Sequence, residues 1–209
     1  MSEPDFSSLR RAMVSNQLRT NKVTDAAVLA AMGAVPRERF AGEEQGGVAY
    51  RDTIVPLGAG RGLNPPIATG RLLSVAQPRV GEKALVVGSA TGYVAALLAE
   101  MGCAVTALEE SQALIARAQV PTTEGPLAAG WPEGAPYDLI YIDGAVEQVP
   151  DAIVDQLAEG GRLVGALNER GVTRLAIGRR VAGGFGLDIF ADVETATLPG
   201  FAPASAFVF

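Results

Sequence analysis

From Lys83 onward the chain alternates short apolar runs with stretches that carry apolar residues at helical spacing. The series is Ala84-Leu-Val-Val, a helix over 93–101, Ala104-Val-Thr-Ala-Leu, a helix over 111–118, Leu139-Ile-Tyr-Ile, a helix over 150–157, and Gly161-Arg-Leu-Val-Gly-Ala-Leu. Near-continuous apolar runs of this length suit strands buried on both faces, and a strand, helix, strand repeat is the pattern of a parallel sheet covered on two sides. The fold class predicted is therefore α/β, a Rossmann-like, doubly wound and mostly parallel sheet. Further strand-like runs over 175–180, 186–193 and 206–209 have no helix between all of them, which predicts an antiparallel C-terminal edge.

The first third reads differently. Apolar residues recur at helical spacing over 6–18 and 25–32, with Thr24 placed to cap the second helix and Pro36 placed to end it. The stretch 42–66 is rich in Gly and Pro, too irregular for a helix or a central strand, and loops of that length inside a compact domain usually serve a site. A helix over 67–75 then leads into the core. No Ser/Gly/Pro linker separates two hydrophobic blocks, so the expectation is one domain over 1–209, with an N-terminal helical and loop extension over 1–78 and an α/β core over 79–209.

Composition narrows the chemistry. Cys103 is the only cysteine and there is no histidine, which excludes an intramolecular disulfide, a Cys/His zinc site and a histidine-based triad. A net charge of −6 without a basic run argues against nucleic acid and acidic membranes as partners. No apolar stretch approaches the length of a spanning helix and the first ten residues do not read as a secretory signal, so a cytoplasmic protein is expected.

The segment Leu85-Val-Val-Gly-Ser-Ala-Thr-Gly-Tyr sets a glycine turn directly between a strand and a helix, where small residues let a ligand approach the backbone. Glu109 closes the next strand, 21 positions after Gly88, where a carboxylate can accept both hydroxyls of a ribose. A dinucleotide motif would need glycines at 88, 90 and 93, but Ala90 and Tyr93 stand there, and Gly88 with Gly92 suits a Gly-x-Gly-x-Gly turn better. The expected nucleoside site is Gly88, Ser89, Ala90, Gly92, Tyr93 and Glu109, and the nucleoside is S-adenosylmethionine rather than a dinucleotide.

The chain resembles the protein-L-isoaspartate O-methyltransferase family over most of its length. Met13-Val-Ser-Asn-Gln-Leu, Val35-Pro-Arg-Glu-Arg-Phe and Ala49-Tyr-Arg-Asp are similar to the family's N-terminal helices and the start of its substrate loop. Ala135-Pro-Tyr-Asp-Leu-Ile, Val149-Pro-Asp-Ala-Ile-Val-Asp-Gln-Leu and Gly160-Gly-Arg-Leu-Val are similar to its second half. The resemblance implies methyl transfer from S-adenosylmethionine, leaving S-adenosylhomocysteine, to the isoaspartyl carboxylate of damaged proteins or peptides, with no metal.

Several positions depart from the family pattern. Its substrate loop reads Gly-Gln-Thr-Ile-Ser, and here it is Gly60-Arg-Gly-Leu-Asn, so Asn64 replaces the serine and Arg61 the glutamine. The candidate catalytic residues are Asn64, which can donate to a carboxylate, Asp52 at a family loop position, and Arg61, either a partner for a substrate carboxylate or an exposed loop arginine. On the cofactor side Val86 stands for an acidic residue, Ala90 for the middle glycine and Pro126 for the adenine-side Asp. The segment 118–125 is shortened, so a strand there is short or missing.

Three alternatives stay open. Tyr137-Asp-Leu-Ile-Tyr-Ile-Asp-Gly resembles a catechol-type O-methyltransferase strand ending in a magnesium ligand, which would be Asp143. A non-catalytic binding or scaffold protein could keep the fold alone. A nucleotide-dependent oxidoreductase is disfavoured by Tyr93.

Overall fold

The computed structural model describes residues 5–202. The chain enters through helix α1, Phe6–Ala12, which continues as a wider helical turn to Leu18 and a tight turn to Asn21. Helix α2, Ala26–Ala34, follows. Its cap is Asp25, whose side chain accepts from the Val28 amide, and not the neighbouring Thr24 that the sequence favoured. Both residues are good caps; the one adjacent to the first helical residue holds the geometry. The helix stops at Ala34, since the residue before Pro36 is driven out of helical angles.

A short helix α3, Glu38–Ala41, and a 3-10 turn over Glu43–Val48 lead to a hairpin of β1, Val55–Gly58, and β2, Arg61–Leu63. The irregular stretch 42–66 is thus partly a two-stranded ribbon, separate from the main sheet. Its turn runs through Gly58, Ala59 and Gly60, all left-handed (φ +86°, +52° and +70°), a path that favours glycine. Helix α4, Pro66–Ala76, starts on a proline, whose missing N–H costs nothing in a first turn.

The core then unfolds in the expected alternation. Strand β3, Lys83–Val87, helix α5, Tyr93–Glu100, strand β4, Ala104–Glu109, helix α6, Gln112–Ile115, and a two-residue strand β5, Thr123–Glu124, form one half. Strand β6, Tyr137–Val146, helix α7, Asp151–Val154, and strands β7, Leu157–Glu169, β8, Val172–Val181, and β9, Gly184–Asp192, form the other. The sheet order is β5-β4-β3-β6-β7-β8-β9, parallel from β5 to β7 and antiparallel from β7 to β9. The antiparallel edge is therefore present, although the run over 206–209 lies outside the described residues.

Two helices are shorter than their sequence patterns. The stretch 111–118 is helical only to Ile115, and Arg117 just beyond donates to the Leu57 carbonyl in the hairpin. The stretch 150–157 is helical only to Val154, because Leu157 already pairs with Tyr137 in the sheet and the Gln156 side chain bridges Ala129, Ala152 and Trp131.

Alternation along β3 divides the core. Ala84 and Val86 face one layer with α2, α4 and α5, whereas Leu85 and Val87 face a second with Leu108, Ile140, Ile142, Leu198 and Phe201. Helices that lie on the first side and mostly single turns on the second leave the C-terminal segment, 195–201, to complete the second layer. That segment bridges β6 at Ala145 and Thr197, so Leu198 comes to lie over the ends of the central strands. Cys103 is a buried core thiol, as expected, and burial pushes its pKa up. No helix among the described residues is long and apolar enough to cross a membrane.

Candidate functional site

Strand order reverses at β3: the chain goes outward through β4 on one side, then returns to β6 on the other. Crevices at the carboxyl ends of such strands are where open α/β sheets bind ligands. Here the crest is built by the turn after Val87, by Glu109 ending β4, and by Asp143 near the end of β6.

The turn takes three left-handed residues, Gly88 (φ +75°), Ala90 (+50°) and Gly92 (+98°). Ala90 stands where the resemblance places a glycine, and a left-handed alanine costs about 1 kcal/mol. Gly88 and Ser89 donate their amides to the Leu108 carbonyl, and Ala90 donates to Glu109 Oε2 at 2.8 Å. Ser89 is buried and its hydroxyl has no partner among the described residues.

Tyr93 is fully buried one residue into α5, tilted against Phe40 with the Arg37 guanidinium 4.9 Å from its ring centre. It fills the interface between helix and N-terminal segment rather than facing the crest. Arg37 is itself fully buried and donates to the carbonyls of Ala49 and Asn64, both at 2.6 Å, so one side chain ties the hairpin to the preceding loop. Burial lowers its pKa from the usual arginine value. The sequence motif carried this arginine without revealing its role, because both partners are backbone atoms brought near by the fold.

The hairpin lies across the crest. Arg61 donates Nη1 to both Glu109 oxygens, at 2.9 and 3.0 Å, and Nη2 to the Gly88 carbonyl at 2.6 Å. The side chains are 4% and 0% exposed, so this is a buried ion pair. The expectation for Arg61, a substrate contact or an exposed cation, is corrected: it meets the protein's own carboxylate. Gly62 is required by packing, since a Cβ there would stand 2.6 Å from the Ile54 side chain.

Three residues along, Asn64 donates Nδ2 to Asp143 Oδ1 and accepts the Ala196 amide on Oδ1, both at 2.8 Å. Burial raises the Asp143 carboxyl from the usual 3.8 to about 6, against the Asn64 hydrogen bond and the charges of Arg61 and Arg37, which pull it down. Asp52 is exposed and accepts the Ile67 amide at 3.0 Å, which makes it a cap for α4. Asn64 and Arg61 thus converge on the crest, and Asp52 stands at the helix behind them.

The backbone cradle has the form a nucleoside needs, but the side chains in it do not fit one as arranged. Glu109 receives five hydrogen bonds, two from Arg61 and three from the amides of Ala90, Glu110 and Ser111, which fills the roughly four acceptor positions of a carboxylate. The space before Gly88 is also taken: a Cβ there would meet Leu198 at 2.6 Å and Arg61 at 2.9 Å. A cavity of about 660 Å³ opens elsewhere, between Phe40, Gly42 and Gly46 on one side and Thr91, Arg117 and Gln119 on the other. For the magnesium alternative, no group of three or more His, Cys, Asp or Glu that could hold a metal occurs among the described residues.

Comparison with known proteins agrees with this architecture. The family model described as protein-L-isoaspartate(D-aspartate) O-methyltransferase matches residues 9–188. A protein-L-isoaspartate O-methyltransferase of Methylorubrum populi is 40% identical over 164 residues, covering 74% of this chain and 77% of that protein. One from Methylorubrum extorquens is 41% identical over 170 residues, covering 77% and 75%. Among solved structures, a protein-L-isoaspartate O-methyltransferase superposes with a TM-score of 0.78 at 20% identity, over 93% of this chain and 66% of that one. A putative protein-L-isoaspartate O-methyltransferase of Plasmodium falciparum, solved with S-adenosyl-L-homocysteine, gives 0.73 at 22% identity, over 94% and 99%. By a family model spanning most of its length and by relatives of this identity, the chain belongs to the protein-L-isoaspartate O-methyltransferase family.

Proposed function

We propose that the protein is an S-adenosylmethionine-dependent carboxyl methyltransferase of the protein-L-isoaspartate type, acting on isoaspartyl residues of damaged proteins, with Arg61 of its own hairpin set against the nucleoside side. The observation that carries this reading is Glu109 at the end of β4, held by three backbone amides opposite the left-handed Gly88–Gly92 turn, at the point where strand order reverses. Gly88, Ser89, Ala90 and Glu109 are its nucleoside side, and Asn64 is its acceptor side. Tyr93 supports the turn from below without entering it.

The acceptor chemistry suits the chain. A carboxylate is ionised at neutral pH, so the site need not supply a base, in keeping with a protein that has no histidine. Asn64 uses one amide proton on Asp143 and retains the other for an acceptor.

A second reading, a family member without catalysis, is favoured by one specific contact, the saturation of Glu109 by Arg61. Incubation with an isoaspartyl peptide and methyl-labelled S-adenosylmethionine separates the two. The methyltransferase reading expects base-labile methyl ester on the isoaspartyl peptide and none on its normal aspartyl counterpart, with full activity in chelator. No ester with the wild type or with an Arg61 variant would leave the non-catalytic reading.

A further inference from the structure

We infer that Arg61 is an internal occupant of the nucleoside seat, and that its guanidinium must leave Glu109 before S-adenosylmethionine or S-adenosylhomocysteine can bind. The inference rests on the reading of Glu109 and the glycine turn as a nucleoside site, and adds to it a latch built from this chain's own residues.

Three observations carry it. The first is saturation: a ribose offers Glu109 two hydroxyl donors, and with four donor nitrogens already making five hydrogen bonds to its roughly four acceptor positions it has none left for either. The second is volume. Glycine at 88 would let a ligand approach the backbone, yet the atoms that face it are those of Arg61 and Leu198. The third is that one side chain makes both contacts, since the guanidinium fork spans Glu109 and the Gly88 carbonyl together, a span that only a planar group with several donors can hold.

The latch is reversible on the same chemistry. When Arg61 withdraws, Glu109 keeps the amides of Ala90, Glu110 and Ser111, so its charge is not left bare, and two hydroxyls can take the positions that Nη1 vacates. Arg61 does not move alone. It sits on β2, whose far end is fastened by Asn64 to Asp143 and by Arg37 to the Asn64 carbonyl, so withdrawal loads the acceptor side of the same ribbon. Occupancy of the nucleoside seat and the placement of Asn64 are thereby coupled through three residues of chain.

The consequence is a reduced apparent affinity. If the unlatched form is a minor state of ~10% or less, the apparent dissociation constant rises at least ~10-fold above the intrinsic one. Glutamine, which the family loop carries at this place, is neutral and cannot satisfy both Glu109 oxygens and the Gly88 carbonyl at once.

The test is calorimetric titration of the full chain with S-adenosylhomocysteine, for the wild type, Arg61→Gln and Arg61→Lys, with folding of each checked by circular dichroism. The expected result is that Arg61→Gln binds at least ~10-fold more tightly than the wild type. Arg61→Lys keeps a cation beside Glu109, which protects folding should the glutamine variant be unstable. A single ammonium cannot span both partners, so it too must bind more tightly than the wild type. Equal affinity of the wild type and either folded variant would overturn the latch and leave the methyltransferase reading standing. Failure of every folded protein to bind would overturn the nucleoside site itself, and the latch with it.

Discussion

Glu109 and Asp143 stand on the two strands that flank β3, and the same hairpin reaches both, yet the donors around them differ. Glu109 ends its strand beside a turn whose amides point inward, and it receives three of them together with a guanidinium. Asp143 lies where β6 has run past its last pair with β3 at Ile142 and shifts register against β7 between Tyr141 and Ala145, and among the described residues its side-chain donor is an asparagine. Burial then dominates at Asp143 and lifts its pKa to about 6. The two buried carboxylates thus differ in their donors: turns at the strand ends supply Glu109 with three backbone N–H groups, whereas a side-chain amide serves Asp143.

The largest expected effect follows from removing the better-served charge. Glu109→Gln leaves the Arg61 guanidinium buried without a counter-charge and puts an amide NH₂ against backbone donors. Breaking a buried pair from one side costs about 3–5 kcal/mol, which denaturant unfolding at neutral pH measures directly. A loss below ~1 kcal/mol would mean that the ion pair contributes little, and the contrast between the two carboxylates would collapse.

Asp143→Asn is expected to act in the other direction. At neutral pH the carboxylate is held ionised against its burial, and the shift from 3.8 to about 6 corresponds to a cost on the order of 3 kcal/mol. An amide of the same shape can still accept from Asn64 without that cost, so the variant gains about 1–2 kcal/mol. Between pH 3.8 and 6 the folded chain carries the proton that the unfolded chain has lost, so Asp143 favours folding below 3.8 and that contribution fades as pH rises through 6. The gain from Asp143→Asn must therefore be larger at pH 7 than at pH 4.5. A gain independent of pH would show that Asp143 is not the group responsible.

Much of this arrangement was legible in the sequence and some of it could not have been. The strands from Ala84 to Leu167 read out directly because burial on both faces demands continuous apolar runs, and Glu109 read out because its spacing from Gly88 is fixed by one βαβ passage. The loss at 118–125 was visible as a shortened segment and is a two-residue strand. What stayed hidden are pairings between distant segments. Arg61 and Glu109 lie 48 residues apart, and Asn64 and Asp143 lie 79 apart. No local pattern ties either pair, since register on a separate ribbon decides which strand end each side chain meets. The lengths of α6 and α7 failed for the same reason, because sheet pairing at Leu157 and the reach of Arg117 to the hairpin end them before helical periodicity does.

Asp52 offers the smallest effect and the sharpest check on where the site ends. A resemblance in the loop made it a candidate for chemistry, whereas the fold gives its carboxylate the Ile67 amide at the start of α4 and an exposed position. A helix that begins on prolines lacks a side-chain cap of its own at Pro65, so Asp52 supplies from outside what a capping residue would supply locally. Asp52→Ala should then cost about 1 kcal/mol of stability, and Asp52→Asn, which still offers an oxygen, only part of it. Neither should change S-adenosylhomocysteine binding or isoaspartyl methylation in an Arg61→Gln background. A collapse of methylation with the unfolding midpoint unmoved would carry the site past the hairpin to Asp52, and would make the acceptor side, and not the nucleoside side, the more extensive half of the crest.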